Sequence, residues 1–167
     1  MALVRVADWI MQRLADEGLR HVFVLPGGGA MHLDDGLACE QRLTAVPCHH
    51  EQACGIAAEA YGRTGHPANA GFGVALVTTG PGATNVVTPV AGAWIDSIPL
   101  LVISGQAKRA DRLNGRPLRQ GGVQEVDIVP MVRPITKYAA TITEPGDVRR
   151  HLEAALHAMS NGRPGPV

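Results

Sequence analysis

The stretch His49-His50-Glu51-Gln52-Ala53-Cys54 decides how this sequence is interpreted. An apolar segment with strand propensity, residues 43–48, comes directly before it, and a helical segment of small residues, 53–62, continues from it. Glu51 is therefore expected where a buried parallel strand ends and a helix begins, at the sheet edge where ligands bind. Alanines in the helix permit close packing, so the carboxylate is expected to be shielded from water. The alternative is that Glu51 only stabilises the first helical turn, where acidic side chains are favoured.

The composition fits one α/β domain. The chain has 167 residues, of which 46% are hydrophobic, and this is enough for a core. Fifteen basic and fifteen acidic residues cancel, so net charge does not indicate nucleic acid or an anionic membrane as a partner. Two residues each of Phe, Trp and Tyr leave little material for stacking on bases. The three cysteines form no Cys-x-x-Cys pair, which predicts free thiols and a cytoplasmic location.

The stretch between Arg63 and Asp96 contains no Asp, Glu, Lys or Arg and is long enough to suggest a membrane span. Glycines and prolines interrupt it repeatedly, so a buried strand, a turn and a buried helix are predicted instead. Residues 2–17 place apolar and charged side chains at helical spacing. This pattern predicts an amphipathic surface helix rather than a signal peptide.

Short apolar runs alternate with helical segments along the rest of the chain. Strands are predicted at residues 21–25, 43–48, 74–79 and 99–104, and helices at 30–39, 51–64, 83–94 and 147–160. The segment 124–131 is predicted to be helical, and the segment 135–143 to be extended. This alternation predicts an α/β fold with a mainly parallel sheet, right-handed crossovers and helices on both faces.

Two glycine-containing turns follow predicted strands. Gly27-Gly28-Gly29 lacks the G-x-G-x-x-G spacing of dinucleotide sites, since position 32 is His32, and there is no Walker A pattern. These glycines either form a tight turn or let a ligand approach the backbone. In the stretch 78–85, free backbone N–H groups and polar side chains are expected to face a ligand. Alternatively, Asn85 only caps a helix.

The segment from Lys108 to Arg119 contains five basic residues and one acidic residue. It is either a mobile solvated loop or a loop that grips a carboxylate or a phosphate. The pair His49-His50 with Cys48 lacks a second ligand cluster at zinc-like spacing, so no metal site is predicted.

Several motifs occur in an order that resembles a known family. They are Pro26-Gly27-Gly28, His50-Glu51-Gln52, Thr79-Gly80-Pro81-Gly82-Ala83-Thr84-Asn85, Asp96-Ser97-Ile98-Pro99, Ile103-Ser104-Gly105-Gln106, Gln124-Glu125-Val126-Asp127-Ile128-Val129 and Gly162-Arg163-Pro164-Gly165-Pro166-Val167. Together they resemble the amino-terminal, pyrimidine-binding domain of thiamine-diphosphate enzymes similar to acetolactate synthase large subunits. The resemblance covers essentially the whole chain, as a single domain over residues 1–167.

The resemblance implies thiamine diphosphate as cofactor and a small 2-oxo acid as substrate, with decarboxylation and carboligation as the chemistry. Glu51 would hydrogen-bond N1′ of the aminopyrimidine and promote loss of the C2 proton from the thiazolium ring. The family motifs imply a larger set of cofactor-binding residues, namely Pro26, Gly27, Gly28, Glu51, Thr79, Pro81, Gly82 and Asn85. Gln106 and Gln124 are implied near the substrate, and FAD is left open as a second cofactor. Val123 stands where these synthases commonly have Phe, so the resemblance leaves the 2-oxo acid and product open.

In this family a separate domain holds the diphosphate and Mg²⁺ through a Gly-Asp-Gly…Asn-Asn signature that this sequence lacks. The chain is therefore expected to be completed by another domain or subunit, and to form a homo-oligomer. The alternative is a non-catalytic α/β module that keeps the fold for assembly or regulation.

Overall fold

A computed structural model describes residues 3–64 and 70–167 of the chain. The α-helices in this part are α1 Val6–Asp16, α2 Met31–Cys39, α3 Glu51–Arg63, α4 Pro81–Thr84, α5 Val87–Asp96, α6 Ile128–Val132 and α7 Val148–Ser160. The strands are β1 His21–Val24, β2 Thr44–Pro47, β3 Gly73–Val77 and β4 Leu100–Ser104. Short 3₁₀ helices cover Arg133–Ile135 and Pro145–Asp147.

The four strands form one all-parallel sheet in the order β2-β1-β3-β4. All five residues of β3 are buried, as expected for a parallel strand that is covered on both faces. Because the strands are parallel, their carboxyl ends all lie at the same edge of the sheet. The predicted α/β fold with a parallel sheet is confirmed.

Successive side chains of each strand point to opposite faces, and each face has its own apolar core. On one face, Val22, Val24, Val74 and Leu76 pack with residues of α1, α2 and α7. On the other face, Ala75 and Leu100 pack with residues of α3 and α5. Helices therefore cover both faces of the sheet, as predicted. No helix in the described residues has the length and apolarity needed to cross a membrane.

The helix predicted at residues 83–94 is two helices. The short α4 ends at Thr84, and α5 begins at Val87 and runs to Asp96. Pro89 lies in the first turn of α5, where its missing N–H costs nothing because first-turn N–H groups have no partner within the helix. A continuous helix would have needed that N–H to reach the carbonyl of Asn85. Proline therefore separates the two helices.

The segment 124–131 is helical only from Ile128, and the prediction for its first four residues was wrong. Gln124 has a φ of +54°, a left-handed conformation that a helix cannot contain. This turn brings the Gln124 carbonyl oxygen so close to Gly80 that a side chain at Gly80 would overlap it. Tertiary contact therefore outweighs local helical propensity here.

The segment predicted to be extended, residues 135–143, contains no strand. The Lys137 N–H donates to the Pro166 carbonyl at 2.8 Å, and the neighbouring Val167 exchanges hydrogen bonds with Leu100 and Val102 of β4. Beyond Val167, an apolar groove of about 580 Å³ separates β4 from residues 138–143. An extended segment becomes a strand only when its backbone groups pair with a neighbour. The groove keeps these two segments apart.

Two glycines in neighbouring helices provide a matched test of the packing between α3 and α5. A Cβ at Gly55 of α3 would overlap the Pro89 ring, whereas a Cβ at Gly92 of α5 would meet no atom within 4 Å. We expect Gly55→Ala to destabilise the chain by about 1–3 kcal/mol through overpacking. Gly92→Ala should stabilise it by about 0.5–1 kcal/mol through helix propensity alone. Urea unfolding of the two variants measures both effects, and equal stabilities would contradict this account of the contact.

Candidate functional site

Polar and glycine-rich segments follow the carboxyl ends of all four strands. Pro26–Gly29 follows β1, and His49–Glu51 follows β2 at the start of α3. Thr78–Gly82 follows β3, and Gly105-Gln106 follows β4. Since the parallel strands bring these ends to one edge, the sequence-predicted residues are collected there.

Glu51 is the first residue of α3 and carries the charge of the candidate site. His50 precedes it as the N-cap, and His50 Nδ1 accepts the Gln52 N–H at 3.1 Å. The Asn85 side chain donates from Nδ2 to Glu51 Oε2 at 2.8 Å. Asn85 is also the C-cap of α4, through its backbone N–H, while its side chain contacts Glu51. The amide and the carboxylate form one polar pair.

Glu51 is half-buried, so the predicted shielding from water is incomplete within this chain. Helix α3 packs against the protein through Cys54, Gly55, Ala58 and Gly62. The other alanines of the helix do not all face inward, since Ala60 is exposed. Their number in the sequence suggested close packing, but helical periodicity places only one side of α3 against the core.

Gly82 leaves space beside the Glu51 carboxylate. A Cβ added at Gly82 would lie 3.4 Å from Glu51 Oε1 and 2.7 Å from Thr78 Cγ2. Pro81 and Asn85 are exposed beside it, at the start and end of α4. The turn predicted at residues 78–85 therefore lies beside Glu51, and Gly82 is the residue closest to the carboxylate.

The glycine loop after β1 contacts the same turn. The Gly29 N–H donates to Thr78 Oγ1 at 3.1 Å, and a Cβ at Gly27 would lie 2.5 Å from Thr78 Cβ. By contrast, Gly28 is exposed, and a Cβ there would meet no atom within 4 Å. Gly27 therefore provides room for Thr78, and the backbone at Gly28 is open.

Two side chains hold this loop in place. Thr78 accepts the Gly29 N–H, and Asp34 Oδ2 accepts the Gly27 N–H at 3.3 Å. Burial raises the pKa of the Asp34 carboxyl, and the Gly27 hydrogen bond opposes that shift. Asp34 Oδ1 is buried without a hydrogen-bond partner in the described part of the chain. Thr78 belongs to the stretch 78–85 that was predicted to face a ligand, whereas Asp34 lies in α2, after the glycine loop, and was not singled out by the sequence.

Thr79, a predicted cofactor residue, is only 1% exposed. Its hydroxyl oxygen has no hydrogen-bond partner among residues 3–64 and 70–167. A side chain at Gly29 would overlap that hydroxyl, so Thr79 lies directly beneath the glycine loop. The buried Thr79 side chain therefore packs against the glycine loop.

The two predicted substrate residues lie next to the site but are engaged elsewhere. Gln106 donates from Nε2 to the Val126 carbonyl at 3.0 Å, and its Oε1 accepts the Ala107 N–H at 2.8 Å. Gln124 contacts the turn after β3 through its backbone carbonyl at Gly80. Both glutamines therefore help to join the segment 124–127 to the sheet edge.

The basic segment 108–119 is organised around Glu125. The Glu125 carboxylate accepts N–H groups from Leu113, Gly121 and Gly122, with distances from 2.8 to 3.2 Å. These hydrogen bonds stabilise the charged carboxylate and hold the pKa of Glu125 below its ordinary value. One carboxylate thus anchors this loop, which contains no helix or strand.

The basic side chains of this segment have different partners. The Arg116 guanidinium donates to the carbonyls of Asp111, Arg112 and Leu113, and Arg109 forms an ion pair with Glu144. Arg112 Nε is buried and has no hydrogen-bond partner among the described residues. Arg112 also lies close enough to Glu125 to help lower the pKa of that carboxyl, whereas the Arg116 guanidinium is held by loop carbonyls.

No group of three or more His, Cys, Asp or Glu residues in the described ranges is arranged to hold a metal ion. Two carboxylates of the site each accept a hydrogen bond: Glu51 accepts one from Asn85, and Asp34 accepts one from the Gly27 N–H.

Comparison with known proteins identifies the family of the chain. Residues 4–131 match the family model described as "Thiamine pyrophosphate enzyme, N-terminal TPP binding domain". The acetolactate synthase large subunit of Buchnera aphidicola (subsp. Acyrthosiphon pisum) is 36% identical over 167 residues, which are all of this chain and 28% of that protein. The isozyme 3 large subunit of Escherichia coli K12 is 37% identical over 167 residues, again all of this chain and 27% of that protein.

The chloroplastic acetolactate synthase of Arabidopsis thaliana is 37% identical over 162 residues, which are 96% of this chain and 22% of that protein. The chain thus spans about a quarter of the length of the curated relatives it matches. The family model and these identities confirm the resemblance seen in the motifs. The chain belongs to the thiamine pyrophosphate enzyme family, and it matches that family's N-terminal domain.

Proposed function

We propose that this chain supplies the aminopyrimidine half of a thiamine diphosphate site in an acetolactate-synthase-like enzyme that decarboxylates and ligates 2-oxo acids. The observation that carries the proposal is the Glu51 carboxylate at the start of α3, held by Asn85 and bordered by Gly82. When bound, the cofactor supplies a carbon nucleophile and an electron sink. The chain's own residues would bind and orient its ring and exchange a proton with it.

The residues fit a flat, mostly apolar ring with a polar edge. Gly82 carries no side chain where the turn meets Glu51, Gly28 leaves the exposed loop open, and Pro26 and Pro81 are exposed near these two glycines. The buried Thr79 hydroxyl beneath the loop has no partner in the described residues, so it is available for a polar group. Thr78 joins the two glycine segments and fixes the width of the space between them.

The two Glu51 oxygens have different environments. Oε2 accepts the Asn85 amide, while no hydrogen bond to Oε1 is found within residues 3–64 and 70–167. Oε1 is therefore the oxygen available to share a proton with the N1′ edge of the ring. Asn85 can donate to Oε2 but cannot accept a proton there, so it favours proton exchange at Oε1.

The remaining parts of the enzyme are also proposals. The described residues offer no cluster for Mg²⁺, so another domain or subunit would hold the metal and the diphosphate. FAD is retained as a second cofactor, and it would bind near Gln106. The 2-oxo acid substrate is proposed from the family resemblance, a homo-oligomeric assembly from the surface that the missing domain would cover, and a cytoplasmic location from the unpaired cysteines.

Replacing Glu51 tests the central role. In the holoenzyme, Glu51→Gln should keep the Asn85 contact but remove the proton-sharing group. We expect C2-proton exchange of the bound cofactor to slow by about 10²–10⁴-fold, the usual contribution of a general acid–base group. Glu59→Gln is a matched control on the same helix, where the native carboxylate pairs with Arg63. Proton NMR of exchange in D₂O measures both, and a wild-type rate in Glu51→Gln would remove Glu51 from the mechanism.

Three arginines of the basic segment test substrate binding. We expect Arg112→Ala to raise the Michaelis constant for an anionic 2-oxo acid. Arg116→Ala should instead loosen the loop, because its guanidinium holds three backbone carbonyls. Arg119→Ala removes the same charge from an exposed position and serves as control. Steady-state kinetics and thermal unfolding separate the effects, and an unchanged Michaelis constant in Arg112→Ala would contradict the anion contact.

Titration of the 167-residue chain by itself tests the division of the site. The described residues can reach a small aminopyrimidine ring, whereas the strongest charge-assisted contacts of the cofactor involve its phosphates and Mg²⁺. We expect the chain to fold, to bind thiamine diphosphate weakly at best and to show no decarboxylase or synthase activity. Isothermal titration with thiamine diphosphate and Mg²⁺ measures the affinity. Micromolar binding would mean that this chain contains a diphosphate site of its own.

A further inference from the structure

Two cysteines lie together beside Glu51 and have no role in the proposed chemistry. Cys48 follows β2 directly, and its N–H donates to the Val24 carbonyl at 2.9 Å. Cys54 lies in the first turns of α3, and its N–H donates to the His50 carbonyl at 3.1 Å. Both side chains pack in the apolar cluster between α3 and the sheet. The end of a strand and the start of a helix therefore hold both cysteines in this one cluster.

The two thiols differ in their exposure. Cys54 is fully buried, whereas Cys48 is only half-buried. Burial raises the pKa of the Cys54 thiol to about 12, and the neighbouring Cys48 thiol and Glu51 carboxylate contribute to the shift. Cys54 is thus a protonated thiol that solvent does not reach directly. The third cysteine, Cys39, is exposed at the end of α2 and is not part of this cluster.

We propose that Cys48 and Cys54 are an oxidative modification site that forms an intramolecular disulfide around Glu51. With hydrogen peroxide as oxidant, the Cys48 sulfur attacks one peroxide oxygen, the O–O bond breaks, and a sulfenic acid and one water form. The Cys54 sulfur then attacks the Cys48 sulfur, the S–S bond forms and the S–O bond breaks. The released hydroxide takes the Cys54 proton and leaves as a second water. Two thiols are oxidised by two electrons, and one peroxide is reduced.

The bond would act on Glu51 through the helix. A disulfide holds two sulfurs about 2.05 Å apart, closer than two thiols in non-bonded contact. Its formation therefore draws the first turn of α3 toward the end of β2. Glu51 lies three residues before Cys54, on the same side of the helix, so its carboxylate moves with that turn relative to Asn85. This consequence rests on the proposed function of Glu51, whereas formation of the bond does not.

Mass spectrometry of the folded chain tests the site directly. Trypsin cleaves after Arg42 and Arg63, so Cys48 and Cys54 fall in one peptide, residues 43–63, and Cys39 falls in another, residues 21–42. After peroxide treatment and alkylation, peptide 43–63 should weigh two hydrogen atoms less and carry no label. Dithiothreitol should restore both labelling positions. Two labels on this peptide, under conditions that oxidise Cys39, would overturn the proposal.

Two variants check the order of steps. Cys54→Ala should leave Cys48 as a sulfenic acid that a dimedone probe captures, because its partner is missing. Cys48→Ser should leave Cys54 reduced, because peroxide does not reach the buried thiol. Oxidation of Cys54 in the Cys48→Ser chain would contradict the assigned order and, with it, the proposal.

The holoenzyme tests the effect on Glu51 separately. Peroxide should lower the rate of C2-proton exchange of bound thiamine diphosphate, dithiothreitol should restore it, and Cys48→Ser should resist the loss. A disulfide that forms without changing this rate would overturn the coupling to Glu51. Because the peptide mass does not depend on cofactor chemistry, failure of the disulfide and failure of the proposed function give different results.

Discussion

The backbone of helix α3 lies directly against the backbone of the sheet, and the candidate site depends on this close approach. A side chain at Gly73 of β3 would overlap the backbone of Ala58, and a Cβ at Gly62 would lie 2.8 Å from the Pro99 carbonyl oxygen. Glycine is needed at these two positions for space rather than for backbone freedom. Because the helix is fixed at two points along its length, Glu51 at its start has a defined position above the sheet edge.

The loops at that edge are held by one another rather than by the sheet alone. Thr78 and Asp34 accept backbone N–H groups of the glycine loop, and Glu125 does the same for the basic segment. Each of these acceptors satisfies backbone N–H groups that would otherwise need water or a partner in a β-sheet. The glycine loop can therefore remain open at Gly28 while its neighbours on both sides are fixed.

The sequence predicted the parallel sheet well because its strands are short apolar runs bounded by Gly and Pro, a pattern that local propensity explains. Glu51 and its neighbours were found through ordered motifs, and the contact with Asn85 agrees with their grouping. The link from Thr78 to Gly29 joins residues 49 positions apart and has no local signal. Segments 124–127 and 135–143 were mispredicted for a related reason, since their conformations depend on contacts with distant segments.

The N-cap of α3 has a consequence for the chemistry of His50. Because His50 Nδ1 accepts the Gln52 N–H, the single ring proton of the neutral imidazole must be on Nε2. This hydrogen bond selects one tautomer, and it directs the N–H of an exposed imidazole away from the helix at the residue next to Glu51. In this state His50 can offer a hydrogen-bond donor to a bound molecule but no acceptor. The helix start therefore gives the site a fixed polarity as well as a fixed position.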